Sequence, residues 1–183
     1  MKVEAFGMDQ TWLQCIDCGH KTDLLKEEKF ECALCGGLYE VRHNFAGADW
    51  EKLMRTFDSR CSYMSPPFGS PYALNGSAVW MYKELINPWL PLGSIVSLHE
   101  GHMPIVHVGK NLSKFIGSRN VWMILEGYNP TGTFKACGMT NLVSTAVAAG
   151  KRGAACASTG DTSEALAAYA AAGRRLRLLD GLE

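Results

Sequence analysis

Lys135 stands in the run Glu126-Gly-Tyr-Asn-Pro-Thr-Gly-Thr-Phe-Lys135-Ala-Cys-Gly-Met139, a lone amine between a glycine turn and the start of an apolar-periodic helix. An amine placed there can form an imine with an aldehyde cofactor. The ordinary lysine pKa of about 10.4 keeps the group charged at neutral pH, so burial among Phe134, Met139 and a sheet is expected to favour the neutral form. Farther along, Cys156-Ala-Ser-Thr-Gly-Asp-Thr-Ser163 is a small-residue, hydroxyl-rich turn that opens another helix, the pattern of an anion-binding site. Two such turns in succession point to one active-site mouth.

A second chemistry is written nearer the start. Cys15, Cys18, Cys32 and Cys35 form two C-x-x-C pairs, each leading into glycine (Gly19; Gly36 and Gly37), so two tight knuckles can aim four thiolates at one point. This is the spacing of a zinc ribbon with a structural metal, the alternative being reduced or disulfide-paired cysteines. His20 competes as a ligand, although four sulfurs already close a tetrahedral shell. Cys156 ends an apolar run and reads as core, and Cys61 carries no signal.

Positioning these groups requires a core. The chain has 183 residues, 47% apolar and 20% charged, enough for one good core and a small satellite. Lys plus Arg and Asp plus Glu are 18 each, so no overall field favours nucleic acid or an acidic membrane surface. No run approaches the roughly 20 apolar residues that span a bilayer, and Met-Lys-Val-Glu-Ala-Phe-Gly lacks a signal-peptide core. The expectation is a cytoplasmic protein.

Two domains are expected: 1–45 as a zinc-ribbon-like segment with strands at 30–34 and 38–41, and 46–183 as an α/β domain. Within the latter, 46–95 reads as a packed connector, punctuated by Ser65-Pro-Pro-Phe-Gly-Ser-Pro71 and Asn75-Gly76 and carrying the aromatic run Val79-Trp-Met-Tyr-Lys-Glu-Leu-Ile86. From Ser94 the pattern alternates strand, turn and helix, which predicts parallel strands with helical crossovers. Val121-Trp-Met-Ile-Leu125 reads as a buried strand, and the helix carrying Met139, Leu142, Val143, Ala146 and Val147 stops at Gly150. Gly153-Ala-Ala-Cys-Ala157 reads as the next buried strand, with Asp161 and Glu164 as a capping pair for a helix from Thr162 to Gly173. The fold class expected is α/β, a partial doubly wound parallel sheet with an N-terminal zinc-ribbon-like segment. Both turns then lie beyond the carboxyl ends of strands, where open parallel sheets bind ligands.

In order along the chain, the ribbon, Val79-Trp-Met-Tyr-Lys-Glu-Leu, Ser97-Leu-His-Glu-Gly-His-Met-Pro104, Asn129-Pro-Thr-Gly-Thr-Phe-Lys135 and Ala157-Ser-Thr-Gly-Asp-Thr-Ser163 resemble the motifs of threonine synthase, in the tryptophan-synthase-β-like group of pyridoxal-phosphate enzymes. The resemblance implies a lyase converting O-phosphohomoserine and water to threonine and phosphate. It implies that Lys135 holds pyridoxal phosphate as an imine and shuttles protons. By the same resemblance, Ser158, Thr159 and Thr162 bind substrate carboxylate or phosphate, and Asp161 lies near the cofactor's phenolic oxygen.

This chain departs from the family pattern at Ala136 and Cys137, where a carboxylate commonly follows the lysine, and at His102 and Met103, where an amide and a hydroxyl are usual. Family members run to well over twice this length, so the resemblance implies a truncated, amino-terminal portion. Arginine within Arg174-Arg-Leu-Arg-Leu-Leu179 suits an edge strand better than a buried one. An incomplete sheet would also leave an apolar flank open to a second copy or a complementing chain. The alternative to a lyase is a non-catalytic zinc-ribbon and α/β remnant that binds partners. A nucleic-acid module ranks last, since the ribbon has no basic face.

Overall fold

The computed structural model describes residues 11–24, 30–60, 74, 76–173 and 177–178, the last two by backbone alone. The expected turn at 65–71, Asn75, Cys61 and the flanks of the 174–179 run lie outside the described residues.

The first unit is a three-stranded antiparallel sheet of β1 (Thr11–Cys15), β2 (Lys21–Thr22) and β3 (Tyr39–His43), with β1 in the centre. Leu13 faces Thr22 on one side and Val41 on the other. Residues 30–34 do not form the expected strand. They contribute one bridge, Glu31 to Leu38, because Cys32 and Cys35 spend that stretch on a knuckle. The strand at 38–41 begins one residue later and runs to His43, and β1 was not anticipated because its Thr-Trp-Leu-Gln-Cys has no turn signal ahead of it.

The connector is more regular than its punctuation suggested. Asp49 caps helix α1 (Trp50–Arg60) by accepting the Lys52 N–H at 2.9 Å, and Leu53, Phe57 and Arg60 at helical spacing are its buried face. Phe57 meets the ring of Tyr82 edge-on at 5.1 Å. The aromatic run winds into a 3-10 turn (Trp80–Tyr82) and helix α2 (Lys83–Ile86). Trp80 is fully buried, and its indole N–H donates to the Thr140 hydroxyl at 2.7 Å. Around it pack Leu74, Trp89 and Leu90, with Leu24 of the cysteine-bearing unit against them. Arg60 and Glu84, both buried, form a two-point ion pair at 2.7 Å, and Arg60 also donates to the Met81 carbonyl.

The remaining elements are β4 (Ile105–His107), α3 (Lys110–Ile116), β5 (Trp122–Ile124), α4 (Lys135–Ala148), β6 (Gly153–Ala154), α5 (Asp161–Ala172) and β7 (Arg177–Leu178). Strand, turn and helix alternate as expected, but the sheet is not uniformly parallel. β6 and β7 pair in parallel, whereas β4 and β5 pair antiparallel, Ile105 opposite Ile124. The seven residues of α3 rise only about 10 Å. Gly117, left-handed at φ 79°, then turns the chain so that β5 returns against β4 in the opposite sense. The run around β5 is also not buried: Trp122 and Ile124 are 58% and 55% exposed, because among the described residues only β4 pairs with it.

What joins α4 and α5 is their own packing. Ala136 and Val143 of α4 meet Leu166, Tyr169 and Ala170 of α5, with Val96 and Leu98 against the same cluster. α4 ends as predicted, with Gly150 left-handed at φ 66° and the Lys151 N–H closing on the Ala146 carbonyl at 2.9 Å. Among the described residues no helix is long and apolar enough to cross a membrane.

Candidate functional site

Lys135 is the first residue of α4, as the glycine turn before it predicts. Beyond β5 the chain makes a 3-10 turn (Glu126–Tyr128). The Gly132 N–H then closes on the Asn129 carbonyl at 2.8 Å, with Gly132 left-handed at φ 69°. The Thr133 hydroxyl accepts the Lys135 N–H at 3.2 Å and starts the helix. The ammonium lies 4.3 Å from the centroid of the Phe134 ring, a cation–π contact. The dry setting expected for this amine is not what the described residues make. Lys135 is half-buried and Phe134 is 57% exposed, so its ring shields one side of the amine and leaves the other open.

The hydroxyl turn precedes α5. Ser158 accepts the Gly160 N–H at 3.1 Å, and the Ser163 hydroxyl donates to the Gly160 carbonyl at 2.7 Å. The expected capping pair is absent: α5 begins at Asp161 rather than Thr162, Gly160 is its N-cap, and no side chain caps it. Gly160, at φ 154° and ψ −82°, takes a backbone conformation that side chains disfavour, which puts glycine at the cap and moves Asp161 into the first turn. The helix therefore offers amide N–H groups free of side-chain caps, beside exposed Ser158, Thr159 and Asp161 and half-buried Thr162. Cys156 is exposed, not core, since β6 is only two residues long.

The expected common edge of one parallel sheet does not unite the two turns, because β5 and β6 lie in different two-stranded pairs. Each turn instead opens one of two helices packed against each other through Ala136, Val143, Leu166, Tyr169 and Ala170. The donor set suits a phosphate-bearing aldehyde: an amine, open hydroxyls at a helix start, and the Thr131 hydroxyl, which is buried in the lysine turn without a hydrogen-bond partner.

Sequence reasoning placed Glu100-Gly101 as an ordinary loop or, by the resemblance, a loop of the cofactor domain, and gave Tyr169 no role. Glu100 is fully buried and accepts from Ser97 at 3.1 Å, the Leu98 N–H at 3.0 Å, Tyr169 at 2.6 Å, and Ser77. Burial, together with the Glu100 charge, pushes the Tyr169 phenol well above its ordinary range. Burial, then Glu100 and Glu126, likewise raises the Cys137 thiol. The available signal was Tyr169 itself, a large polar-tipped ring in an otherwise small-residue helix.

The four cysteines converge as predicted. Their sulfurs lie within 4.8 Å of one another, with Cys15 to Cys35 at 3.5 Å and Cys18 to Cys32 at 3.7 Å. A zinc ion with about 2.3 Å bonds to four sulfurs sets tetrahedral edges of about 3.8 Å, so the donor set fits that metal. Gly19 and Gly36, left-handed at φ 74° and 75°, close the knuckles, their N–H groups reaching the Cys15 and Cys32 carbonyls. His20 sits outside the shell, 3.0 Å from the Tyr39 hydroxyl and 3.8 Å from the Cys32 sulfur. Burial pushes the Cys32 thiol up, but the Leu34 N–H, Tyr39 and the Cys35 N–H outweigh it and bring it down to about 6. The Gly37 N–H lowers the Cys35 thiol, but Cys18 and Cys15 beside it push it up to about 12.

The chain is similar to known proteins. Residues 96–179 match the family model described as pyridoxal-phosphate dependent enzyme. Threonine synthase from Methanosarcina acetivorans is 35% identical over 162 residues, covering 87% of this chain and 34% of that protein. The Methanocaldococcus jannaschii threonine synthase is 36% identical over 158 residues, covering 86% and 34%. Chloroplastic threonine synthase 2 of Arabidopsis thaliana is 35% identical over 144 residues, covering 74% and 27%. The chain spans about a third of the length of these curated relatives. It resembles part of a threonine synthase, and residues 96–179 resemble the pyridoxal-phosphate dependent enzyme family.

Proposed function

We infer that this chain is part of a pyridoxal-phosphate-dependent lyase of the threonine synthase kind, and we propose that Lys135 holds its cofactor. The reaction proposed is the conversion of O-phosphohomoserine and water to threonine and phosphate. The observation that carries it is the packing of two helices, each opened by one of the candidate turns. Lys135 opens α4, and α5, packed against α4, opens with an uncapped turn bearing Ser158, Thr159 and Thr162.

When bound, pyridoxal phosphate supplies the electron sink that lets a proton leave the carbon next to the substrate amine. The chain's own residues do the rest. The Lys135 amine would hold the cofactor's aldehyde and would carry protons to and from the substrate carbons. Hydroxyls of Ser158, Thr159 and Thr162, with the first N–H groups of α5, would take an anionic carboxylate or phosphate, and Asp161 would serve the cofactor's phenolic group. Ala136 offers no carboxylate beside the amine, so proton transfer rests on Lys135 itself.

We propose further that Cys15, Cys18, Cys32 and Cys35 hold one structural zinc, within a ribbon of residues 1–45 attached to an α/β unit of 46–183. Such thiolates persist in a reducing compartment, consistent with the cytoplasm.

The test is an absorbance titration with pyridoxal phosphate on metal-replete protein, then borohydride reduction and peptide mapping. Label on Lys135, lost in Lys135→Ala, supports the reading; label on another lysine removes it. A second reading, a non-catalytic partner-binding module, draws on the exposed apolar side chains of β4 and β5, Ile105, Trp122 and Ile124. Folding with zinc but no cofactor uptake would favour it.

A further inference from the structure

We propose that Asn129 is a positioning residue that sets the Lys135 turn, and that it acts from an anchor formed by the buried carboxylate of Glu100. The proposal rests on the assignment of Lys135 as the cofactor lysine.

Asn129 is 5% exposed and uses both ends of its amide. Its Oδ1 accepts the Gly101 N–H at 3.1 Å, with the Cys137 thiol at 3.9 Å from the same atom. Its Nδ2 donates to the Glu126 carboxylate at 2.8 Å and to the Glu126 carbonyl at 3.2 Å. Its own carbonyl accepts the Gly132 N–H, closing the turn that delivers Lys135 six positions later. One side chain thus ties the start of the lysine turn to the backbone beside Glu100 and to the 3-10 turn leaving β5, and its oxygen lies against the first turn of α4.

The far side of the link is rigid for a separate reason. A carboxylate with no exposure must have its lone pairs filled, and Ser77, Ser97, the Leu98 N–H and Tyr169 fill those of Glu100. Tyr169 belongs to α5, the helix opened by the hydroxyl turn. A hydrogen-bonded path, buried at Tyr169, Glu100 and Asn129 and half-buried at Gly101, therefore runs from α5 to the lysine turn, using no group assigned to cofactor or substrate. Gly101 is left-handed at φ 95°, and a Cβ there would come within 2.8 Å of the Ala78 Cβ, so the loop tolerates little movement at the junction.

The experiment uses the full chain with zinc and compares wild type, Asn129→Ala, Glu100→Ala and Glu100→Gln well below each variant's unfolding midpoint. Glutamine keeps an acceptor, and its hydroxyl partners can reverse their bonds, so Glu100→Gln should behave close to wild type. Two readouts separate positioning from general loosening: the rate of borohydride-trapped cofactor on Lys135, and the affinity for pyridoxine phosphate, which has the phosphate and ring but no aldehyde. Positioning predicts at least a tenfold slower trapping in Asn129→Ala and Glu100→Ala, with pyridoxine phosphate affinity changed less than threefold and Glu100→Gln restoring the rate. Equal losses in both readouts, or unchanged trapping, would overturn it.

Should wild type take up no cofactor, the functional reading fails, and the positioning claim is decided by amide hydrogen exchange. Asn129→Ala must then speed exchange at Gly132, Ala136 and Cys137 at least tenfold while the β1–β3 amides stay as they were. Unchanged exchange at those three amides overturns the proposal.

Discussion

The phenol of Tyr169 donates a 2.6 Å hydrogen bond to the Glu100 carboxylate across 69 positions of sequence, and both side chains are fully buried. Glu100 sits in a turn beside left-handed Gly101, whereas Tyr169 lies within α5. Tyr169→Phe removes the donor while keeping the ring that packs on Ala136 and Val143, so the change isolates the hydrogen bond. It should cost about 1–3 kcal/mol in urea unfolding, the range for leaving a buried polar group one partner short.

The same pair gives a pH signature. The folded phenol lies above its ordinary value of 10, so the unfolded chain gives up this proton first as pH rises. The stabilisation is whole below pH 10 and declines above it as the unfolded state ionises. Stability curves of wild type and Tyr169→Phe should therefore run parallel through neutral pH and converge above 10. Curves that stay parallel at high pH would show that the phenol is not held in this way.

Glu84 gives the opposite sign. Burial works to raise its carboxyl, but the Arg60 guanidinium at 2.7 Å outweighs burial and holds it below the usual carboxylate value of 4.5. Its contribution is full above that value and is lost as pH falls through the lowered folded one. Glu84→Gln, which strands a buried guanidinium, is expected to lose about 3–5 kcal/mol at neutral pH, and its stability should fall less steeply than wild type on acidification. Paired urea titrations at neutral and acid pH check both statements.

The cysteine cluster should declare its metal through protons. Without metal, Cys18 and Cys35 hold their protons above the usual thiol value, Cys35 up to about 12, whereas a zinc ion requires all four sulfurs as thiolates. Binding at neutral pH must then release at least the Cys18 and Cys35 protons, measured by calorimetry in buffers of different ionisation enthalpy. Cys32→Ser should abolish stoichiometric zinc, while His20→Ala, outside the shell, should retain it. Retention of full zinc by Cys32→Ser would reject the four-sulfur site.

The parts legible in sequence were those fixed locally. The cysteine knuckles follow from spacing and glycine, and Lys135 falls at a helix start because Gly132 and the apolar period on either side demand it. Strand direction was not legible. β4 and β5 have the apolar runs of a parallel sheet, and only the short α3 with its Gly117 exit sets them antiparallel. The role of Glu100 was hidden for a related reason: its donors come from Ser77, Ser97 and Tyr169, which share no motif and meet only after α5 packs on α4. The Asp161 cap was lost to Gly160, whose unusual backbone angles no residue count reveals.

Thr140 carries the last prediction because it bonds in two directions at once. Its hydroxyl accepts the Trp80 indole N–H at 2.7 Å and donates to the Val96 carbonyl at 2.6 Å, joining the connector, α4 and the chain ahead of Glu100. Valine fills nearly the same volume, so Thr140→Val removes both bonds while making little cavity. The buried Trp80 indole and the part-buried Val96 carbonyl then lose their partner, at about 1–3 kcal/mol for the indole and less for the carbonyl, and the loss should appear as a lower urea midpoint with an unchanged slope. Trp80 fluorescence reports on the same site: the freed indole in a dry core should emit to the blue of wild type. A variant as stable as wild type would mean that apolar packing and the Asn87 bonds to Asn141 and Thr145, not Thr140, hold the connector on α4.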